Sequence, residues 1–97
     1  MATVVTNTWV RPNTGVDWYV PSNTHKAYIK TNFRDNGKLS TSTTVSDDEL
    51  TRTSVSTFTN YTVREEWKAD SKVQEHLTAR DTYCNNNSIS KSFSRNW

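Results

Sequence analysis

The stretch that decides the fold is Leu50–Asn87, LTRTSVSTFTNYTVREEWKADSKVQEHLTARDTYCNNN. Its first part, residues 50–58, is rich in Thr, Ser and Val, which favours a β-strand. The remainder carries apolar residues at helical spacing, with an interruption at Ala69-Asp70. This pattern predicts a short helix, a break and a longer helix. The rest of the chain can be interpreted by working outward from this strand–helix–helix unit.

Capping signals predict where the two helices begin and end. Thr62 and Glu65 match a capping box, in which the hydroxyl accepts from a free amide and the carboxylate reaches back. Ser71 and Gln74 repeat the pattern, so the second helix is predicted to start there. The run 85–87 of three Asn residues predicts its end, because Asn tolerates the left-handed cap conformation.

Trp67 is the predicted anchor of the helical part. It lies four residues after Val63 and therefore shares a helix face with it. We expect its ring to be buried between helix and sheet. In the preceding strand, Leu50 and Phe58 lie on one face and Val55 on the other, so the strand's orientation stays open.

Two further strands are predicted before this unit. Thr3–Val10 is β-branched and forms the first strand. Residues 39–46 alternate Leu, Thr and Val with Ser and Thr, which predicts a second strand. The polar residues 47–49 are short enough to join it to the strand at 50–58 as a hairpin. The apolar run 16–20, VDWYV, either extends the first strand or packs as a loop over the sheet edge.

A helix is predicted between the first two strands. Ser22 or Asn23 is a suitable N-cap, and Asn36-Gly37 a suitable stop. Its apolar stripe consists of Ala27, Tyr28, Ile29 and Phe33. Lys26, Lys30 and Arg34 follow one another at four-residue spacing, a basic strip that favours a solvated face over an anion site.

The C-terminal residues 88–97 predict a fourth strand, because Ile89, Phe93 and Trp97 lie at even spacing and Ser residues fill the alternate positions. The resulting order is βαββαβ, which is that of an α+β, ferredoxin-like fold. We therefore predict one domain over residues 1–97, with a four-stranded antiparallel sheet and helices on one of its faces.

Composition indicates a thin core. Leu, Ile, Val and Phe account for 17 of 97 residues, while the net charge is only +2, so the chain is aliphatic-poor without being strongly charged. A right-handed crossover places both helical regions on one side and leaves the other sheet face open. We expect this open face to mediate a homodimer, with the two sheets face to face.

Several other classes are disfavoured by the sequence. The twelve basic residues are scattered, and the strands lack the aromatic pattern of RNA-binding sheets, so a nucleic-acid partner is not expected. One Cys and two His do not make an ordinary structural zinc site, and no metal is expected. A small-molecule ligand remains open. A reducing, cytoplasmic setting without a membrane partner is predicted. Cys84 is the lone cysteine, and the sequence shows neither a signal-peptide pattern nor a long apolar run.

The element order and the local pattern TSVSTF, then EEWKADSKVQEHLTARDTY, resemble the dimeric α+β barrel superfamily, which includes the antibiotic-biosynthesis monooxygenases. In those families a third strand is followed by a helix with a central Trp, a kink and a second helical piece. The resemblance implies a dimeric α+β barrel. The Asn- and Thr-rich composition also resembles small uncharacterised proteins of marine phages.

Some members of this superfamily degrade haem, and the resemblance implies a site for that chemistry. They use an Asn on the first strand, a Trp in the helical region and a His ligand to iron about ten residues later. The matching residues are Asn7, Trp67 and His76, as catalytic residues, with His76 as the cofactor ligand. The His spacing is one residue short of that pattern, which turns a helical side chain by about 100°.

Two functions follow from these observations. The first is a small, non-enzymatic homodimer with an accessory, structural or binding role and no cofactor. The second is a monooxygenase of the barrel type, cofactor-independent or haem-dependent.

Overall fold

Four antiparallel strands form an open sheet, and three helices lie against one of its faces in the computed structural model, which describes residues 2–97. The sheet order is β2-β3-β1-β4. The strands are β1 Thr3–Val10, β2 Leu39–Val45, β3 Thr51–Phe58 and β4 Ser90–Arg95. The helices are α1 Asn23–Ile29, α2 Tyr61–Ala69 and α3 Ser71–Asn86, and α1 continues into a π-helical turn at Lys30–Arg34. This α+β arrangement is compatible with the predicted ferredoxin-like fold.

The helix break is confirmed, but the residues that cap the helices differ from those predicted. The Asn60 side chain accepts from the Val63 amide at 3.0 Å, so α2 starts before Thr62. The Asp70 carboxylate accepts from the Lys72 and Val73 amides at 2.9 and 3.2 Å and caps α3. Asn ranks above Thr as an N-cap and Asp ranks level with Ser, and each stands just ahead of the predicted capping box. The predicted capping boxes at Thr62 and Ser71 are therefore wrong by one or two residues.

The end of α3 also differs in detail. Asn87 is its C-cap, with φ −111°, while the left-handed residue is Ser88 with φ 58°. The chain therefore reverses one residue later than the Asn run predicts. The Ile89 amide then donates to the Cys84 carbonyl at 2.9 Å, which closes the turn into β4.

The core is a small cluster at one end of the interface between helices and sheet. It consists of Ile29, Phe33, Leu39, Phe58 and Val73. Phe58 is 1% exposed and is the largest of its fully buried side chains. Trp67 is only half-buried, with its ring centroid 5.3 Å from that of Phe58. The predicted burial of Trp67 is therefore only partial, and Phe58, not Trp67, is the anchor.

Cross-strand pairing fixes the two faces of the sheet. Phe58 pairs with both Thr3 and Leu39, so the even-numbered residues of β3 lie on the inner face, toward the helices. Val55 consequently lies on the outer face, which settles the orientation that the sequence leaves open. The outer face holds six Thr, five Ser and three Val and no charged side chain: Val4, Thr6, Thr8, Val10, Ser40, Ser42, Thr44, Thr51, Thr53, Val55, Thr57, Ser90, Ser92 and Ser94.

Strand β4 forms an exposed edge of the sheet. Ile89, just before it, is buried, whereas Phe93 is 63% exposed and Trp97 is 41% exposed. Lys91 and Arg95 share the inner face with Phe93, since they pair with Trp9 and Val5 of β1. The alternation predicted for this strand therefore gives correctly which residues share a face, but it does not give which residues are buried.

Candidate ligand-binding site

A cavity of about 280 Å³ lies between the helices and the inner face of the sheet. Its floor comes from β1, β2 and β3, and its roof from α1, α2, α3 and the loop after β1. The side chains on the floor are mostly polar: Asn7, Trp9, Thr41, Thr43, Arg52, Ser54 and Ser56. The space that would hold apolar side chains in a filled core therefore has a hydrophilic floor.

All three residues predicted for a site line this one cavity. Asn7 lies on the β1 floor, Trp67 comes from α2 and His76 from α3. The structure thus brings these side chains to a common space, although their sequence positions are far apart.

The floor is a set of paired polar side chains on neighbouring strands. Asn7 pairs across the sheet with Ser54, which in turn pairs with Thr43. The Ser54 hydroxyl is buried and lies 3.2 Å from the Thr43 hydroxyl. In such a pair one hydroxyl donates to the other. The remaining lone pairs and the second hydroxyl proton stay available to a ligand.

Two histidines stack in the roof of the cavity. The rings of His25 and His76 lie 3.9 Å apart at 9°, and the Tyr19 ring lies 5.6 Å from that of His76. Burial, reinforced by His25 and by Arg80, lowers the pKa of His76 to about 4. Burial also lowers the pKa of His25. Both rings are therefore neutral near pH 7, and the Nδ1 atom of His76 is buried with no hydrogen-bond partner among residues 2–97.

The histidine stack separates this cavity from a second one of about 240 Å³. Tyr19, His25 and His76 line both spaces, and the second continues past Tyr28 and Lys72 toward the surface. A change in the stack therefore changes two cavities at once.

Arg80 and Trp9 form one end of the main cavity. The Arg80 guanidinium carbon lies 5.6 Å from the Trp9 ring centroid, a cation–π contact. Trp9 pairs across β1 and β3 with Arg52, which also lines the cavity. The indole Nε1 of Trp9 is buried and has no acceptor within residues 2–97. We call Trp9, Arg52 and Arg80 the cationic end of the cavity.

The loop between β1 and α1 supplies the outer wall. Trp18, Tyr19 and Pro21 line the cavity, so the apolar run 16–20 packs as a loop and does not extend the strand. Arg11 holds this loop through a 2.8 Å hydrogen bond to the Val16 carbonyl and a guanidinium 4.6 Å from the Trp18 ring centroid.

Sequence reasoning missed the whole cationic end and the second histidine. Trp9, Arg52, Arg80 and His25 were not predicted as site residues. The basic strip of α1 was assigned to solvent, yet Lys26 and Arg34 line the cavity, while Lys30 pairs with Asp35 at 2.9 Å. The π-helical turn at 30–34 shifts Arg34 from the position it would take in a regular α-helix, because a wider turn displaces the residues that follow.

Within residues 2–97, no group of three His, Cys, Asp or Glu side chains is arranged to hold a metal ion. None of the helices in that range is both long and apolar enough to span a bilayer. Comparison of the chain with protein-family models, curated proteins and solved structures finds no match.

Proposed function

We propose that this protein is a non-enzymatic binding protein that holds a small molecule between its helices and its sheet, and that it acts as a homodimer. The observation that carries the proposal is the cavity of about 280 Å³ with a polar floor and aromatic walls. A short chain with few aliphatic residues has little packing to spare, so space of this size is costly unless something occupies it. Its volume lies near the lower end of the range of about 300–1,000 Å³ for ligand pockets.

Indole NMR signals offer a direct test of binding. Three of the four Trp residues, Trp9, Trp18 and Trp67, line the cavity, and Trp97 does not. A mixed library of neutral and charged fragments should therefore contain members that shift the indole signals of the first three and leave that of Trp97 unchanged. Single Trp→Phe variants assign the four signals. If no fragment shifts the cavity signals selectively, the binding proposal is wrong.

The homodimer proposal is supported by the composition of the outer sheet face. Charged residues make up 23% of the chain, yet none of the outer-face positions is charged. Depletion of charge is typical of the centre of protein interfaces. Ser, Thr and Val also have few rotamers to lose on burial, which lowers the entropic cost of association.

Sedimentation equilibrium at micromolar concentration tests the homodimer. Thr53 lies in the middle of the outer face, paired with Thr8 and Thr44. Thr53→Lys should shift the mass toward that of a monomer, because it puts two like charges into the interface. Thr78→Lys, the same substitution at an exposed position of α3, should leave the mass unchanged. A monomer mass for the unmodified, folded protein would refute the dimer.

A second candidate function is a barrel-type monooxygenase. It is favoured by the common cavity of Asn7, Trp67 and His76. Haem itself fits these residues poorly. A histidine that binds a metal usually donates its second ring nitrogen to an acceptor, but Nδ1 of His76 has none among residues 2–97. The volume is also small for a ligand as large as haem.

A haemin titration distinguishes the binding protein from a haem-dependent monooxygenase. The binding-protein proposal predicts no Soret shift beyond that of a non-specific control. A shift that is lost in His76→Ala, but kept in His25→Ala, would favour the monooxygenase and would assign the ligand.

A further inference from the structure

The charges around the main cavity are of one sign. Its lining includes four basic residues, Lys26, Arg34, Arg52 and Arg80, and neither Asp nor Glu. The two stacked histidines are neutral near pH 7 and therefore add no charge to this set. In a partly desolvated space such an excess favours an anion, because the field of the cations is weakly screened there.

The four cations differ in position. Lys26 and Arg34 are exposed and lie where the cavity meets solvent, whereas Arg52 and Arg80 are half-buried. Arg80 donates from Nε to Asp81 at 3.3 Å, which uses one of its five N–H groups. Arg52 forms no ion pair with any of residues 2–97. Arg52 therefore keeps both its charge and its donors available to a ligand, and Arg80 keeps the N–H donors that Asp81 does not use.

One buried hydrogen-bond donor at the cationic end also lacks an acceptor. Trp9 Nε1 is a donor only, and it is buried with no partner within residues 2–97. A buried donor without a partner destabilises the protein, and an acceptor on a ligand would remove that penalty. Together with the guanidinium groups of Arg52 and Arg80, it forms a set of donors suited to a carboxylate.

Away from the cationic end, the walls above the polar floor are aromatic and apolar. Trp67, Ile29 and Leu39 line the end nearest the core, and Trp18 and Tyr19 form the outer wall. Along β3, the floor from Arg52 to Ser56 spans about 13 Å at roughly 3.3 Å for each residue. A ligand that uses both ends must therefore have a charged head and a flat apolar body.

We infer that the ligand is a small aromatic carboxylate, with its carboxylate at the cationic end and its ring toward Trp67. This inference rests on the proposed binding function and adds the chemical class of the ligand. The recognition is that of a charge-assisted hydrogen bond at one end and apolar stacking at the other.

Isothermal calorimetry with matched probes tests the inference. The probes are benzoate and naphthoate, their neutral amides benzamide and naphthamide, and cyclohexanecarboxylate, which has charge but no aromatic ring. We expect the aromatic carboxylates to bind with Kd below about 1 mM and the amides to bind about tenfold or more weakly. Arg52→Gln should weaken carboxylate binding by about tenfold. Lys68→Gln, an exposed cation on α2 outside the cavity, should change it by less than about twofold.

The outcomes separate the ligand class from the binding function. If amides bind as well as acids and Arg52→Gln has no effect, the anionic class is refuted, while binding in the cavity stands. If cyclohexanecarboxylate binds as well as benzoate, the aromatic part is refuted. If no probe binds, and no fragment shifts the indole signals of Trp9, Trp18 and Trp67, both the ligand class and the binding function fail. Circular dichroism of Arg52→Gln checks that the variant is folded.

Discussion

Acidification should destabilise this protein through His76. Burial, the stacked His25 ring and Arg80 all disfavour a charged imidazole, and the pKa of His76 falls from 6.5 to about 4. A histidine whose pKa is lower in the folded than in the unfolded state binds fewer protons when folded. Its contribution to stability is therefore complete above pH 6.5 and is lost as the pH falls toward about 4.

The size of the effect follows from the same values. The interval between 6.5 and about 4 corresponds to about 3 kcal/mol at 1.36 kcal/mol for each pKa unit. The ring is only half-buried, so solvent screening reduces the expected loss to about 1–2 kcal/mol. His25, whose pKa is also lowered by burial, contributes in the same direction.

Urea unfolding across this pH range, in the natural protein and in His76→Gln, isolates the contribution. Gln keeps a polar side chain but does not titrate, so carboxylate effects cancel in the comparison. The natural protein should lose about 1–2 kcal/mol more than His76→Gln between pH 6.5 and 4. His25→Gln should return the pKa of His76 part of the way toward 6.5, which an NMR titration measures. Equal losses in the natural protein and His76→Gln, or a His76 that titrates near 6.5, would refute the reasoning.

Three further predictions concern the core, a turn and the thiol. Phe58→Ala should lower the free energy of unfolding by about 3–5 kcal/mol, and Trp67→Ala, at a half-buried position, by less; urea denaturation giving the reverse order would contradict this. Ser88→Gly should raise the free energy of unfolding by up to about 1 kcal/mol, because Ser88 has φ 58°, a conformation that favours glycine. Ser88→Ala should not raise the thermal unfolding temperature. Cys84 is buried, and burial raises the pKa of its thiol, so a thiol reagent should modify it more slowly in the folded protein than in the protein unfolded in urea; equal rates would contradict this.

The sequence was sufficient to predict the order of elements, because their periodicity is a local property. Thr3–Val10 has the predicted bounds, and the break between α2 and α3 falls at the predicted residues. Caps were harder, since Asn60 and Asp70 compete with the hydroxyl residues that follow them. A capping side chain that stands one or two residues earlier in the chain moves the start of the helix without changing the apolar pattern.

The orientation of β3 and the composition of the cavity could not be predicted from the sequence, for a different reason. In β3 the alternation is between Ser, Thr and Arg, residue types that suit either face, so only the pairing of Phe58 with Leu39 decides which side contacts the helices. The approach of His25 to His76 joins α1 to α3, and no spacing within the chain encodes it. Asn7, Trp67 and His76 reached a common cavity in the structure, but the resemblance that singled them out says nothing of Arg52 or Arg80.

The alternating Ser and Thr of β2 have a consequence for how the sheet forms. The register of a strand is normally fixed because a shift by one residue moves its apolar side chains from the core into water. From Ser40 to Thr44, however, such a shift only exchanges one hydroxyl side chain for another. Alignment therefore depends on the two ends of the strand: Leu39 in the core, and Ser46, whose amide donates to the Thr51 carbonyl at 2.9 Å. We expect amide hydrogen exchange to be slow at these ends and faster between them, the reverse of the fraying seen in most edge strands. A strand held in this way tolerates many substitutions along its length and very few where it begins and ends.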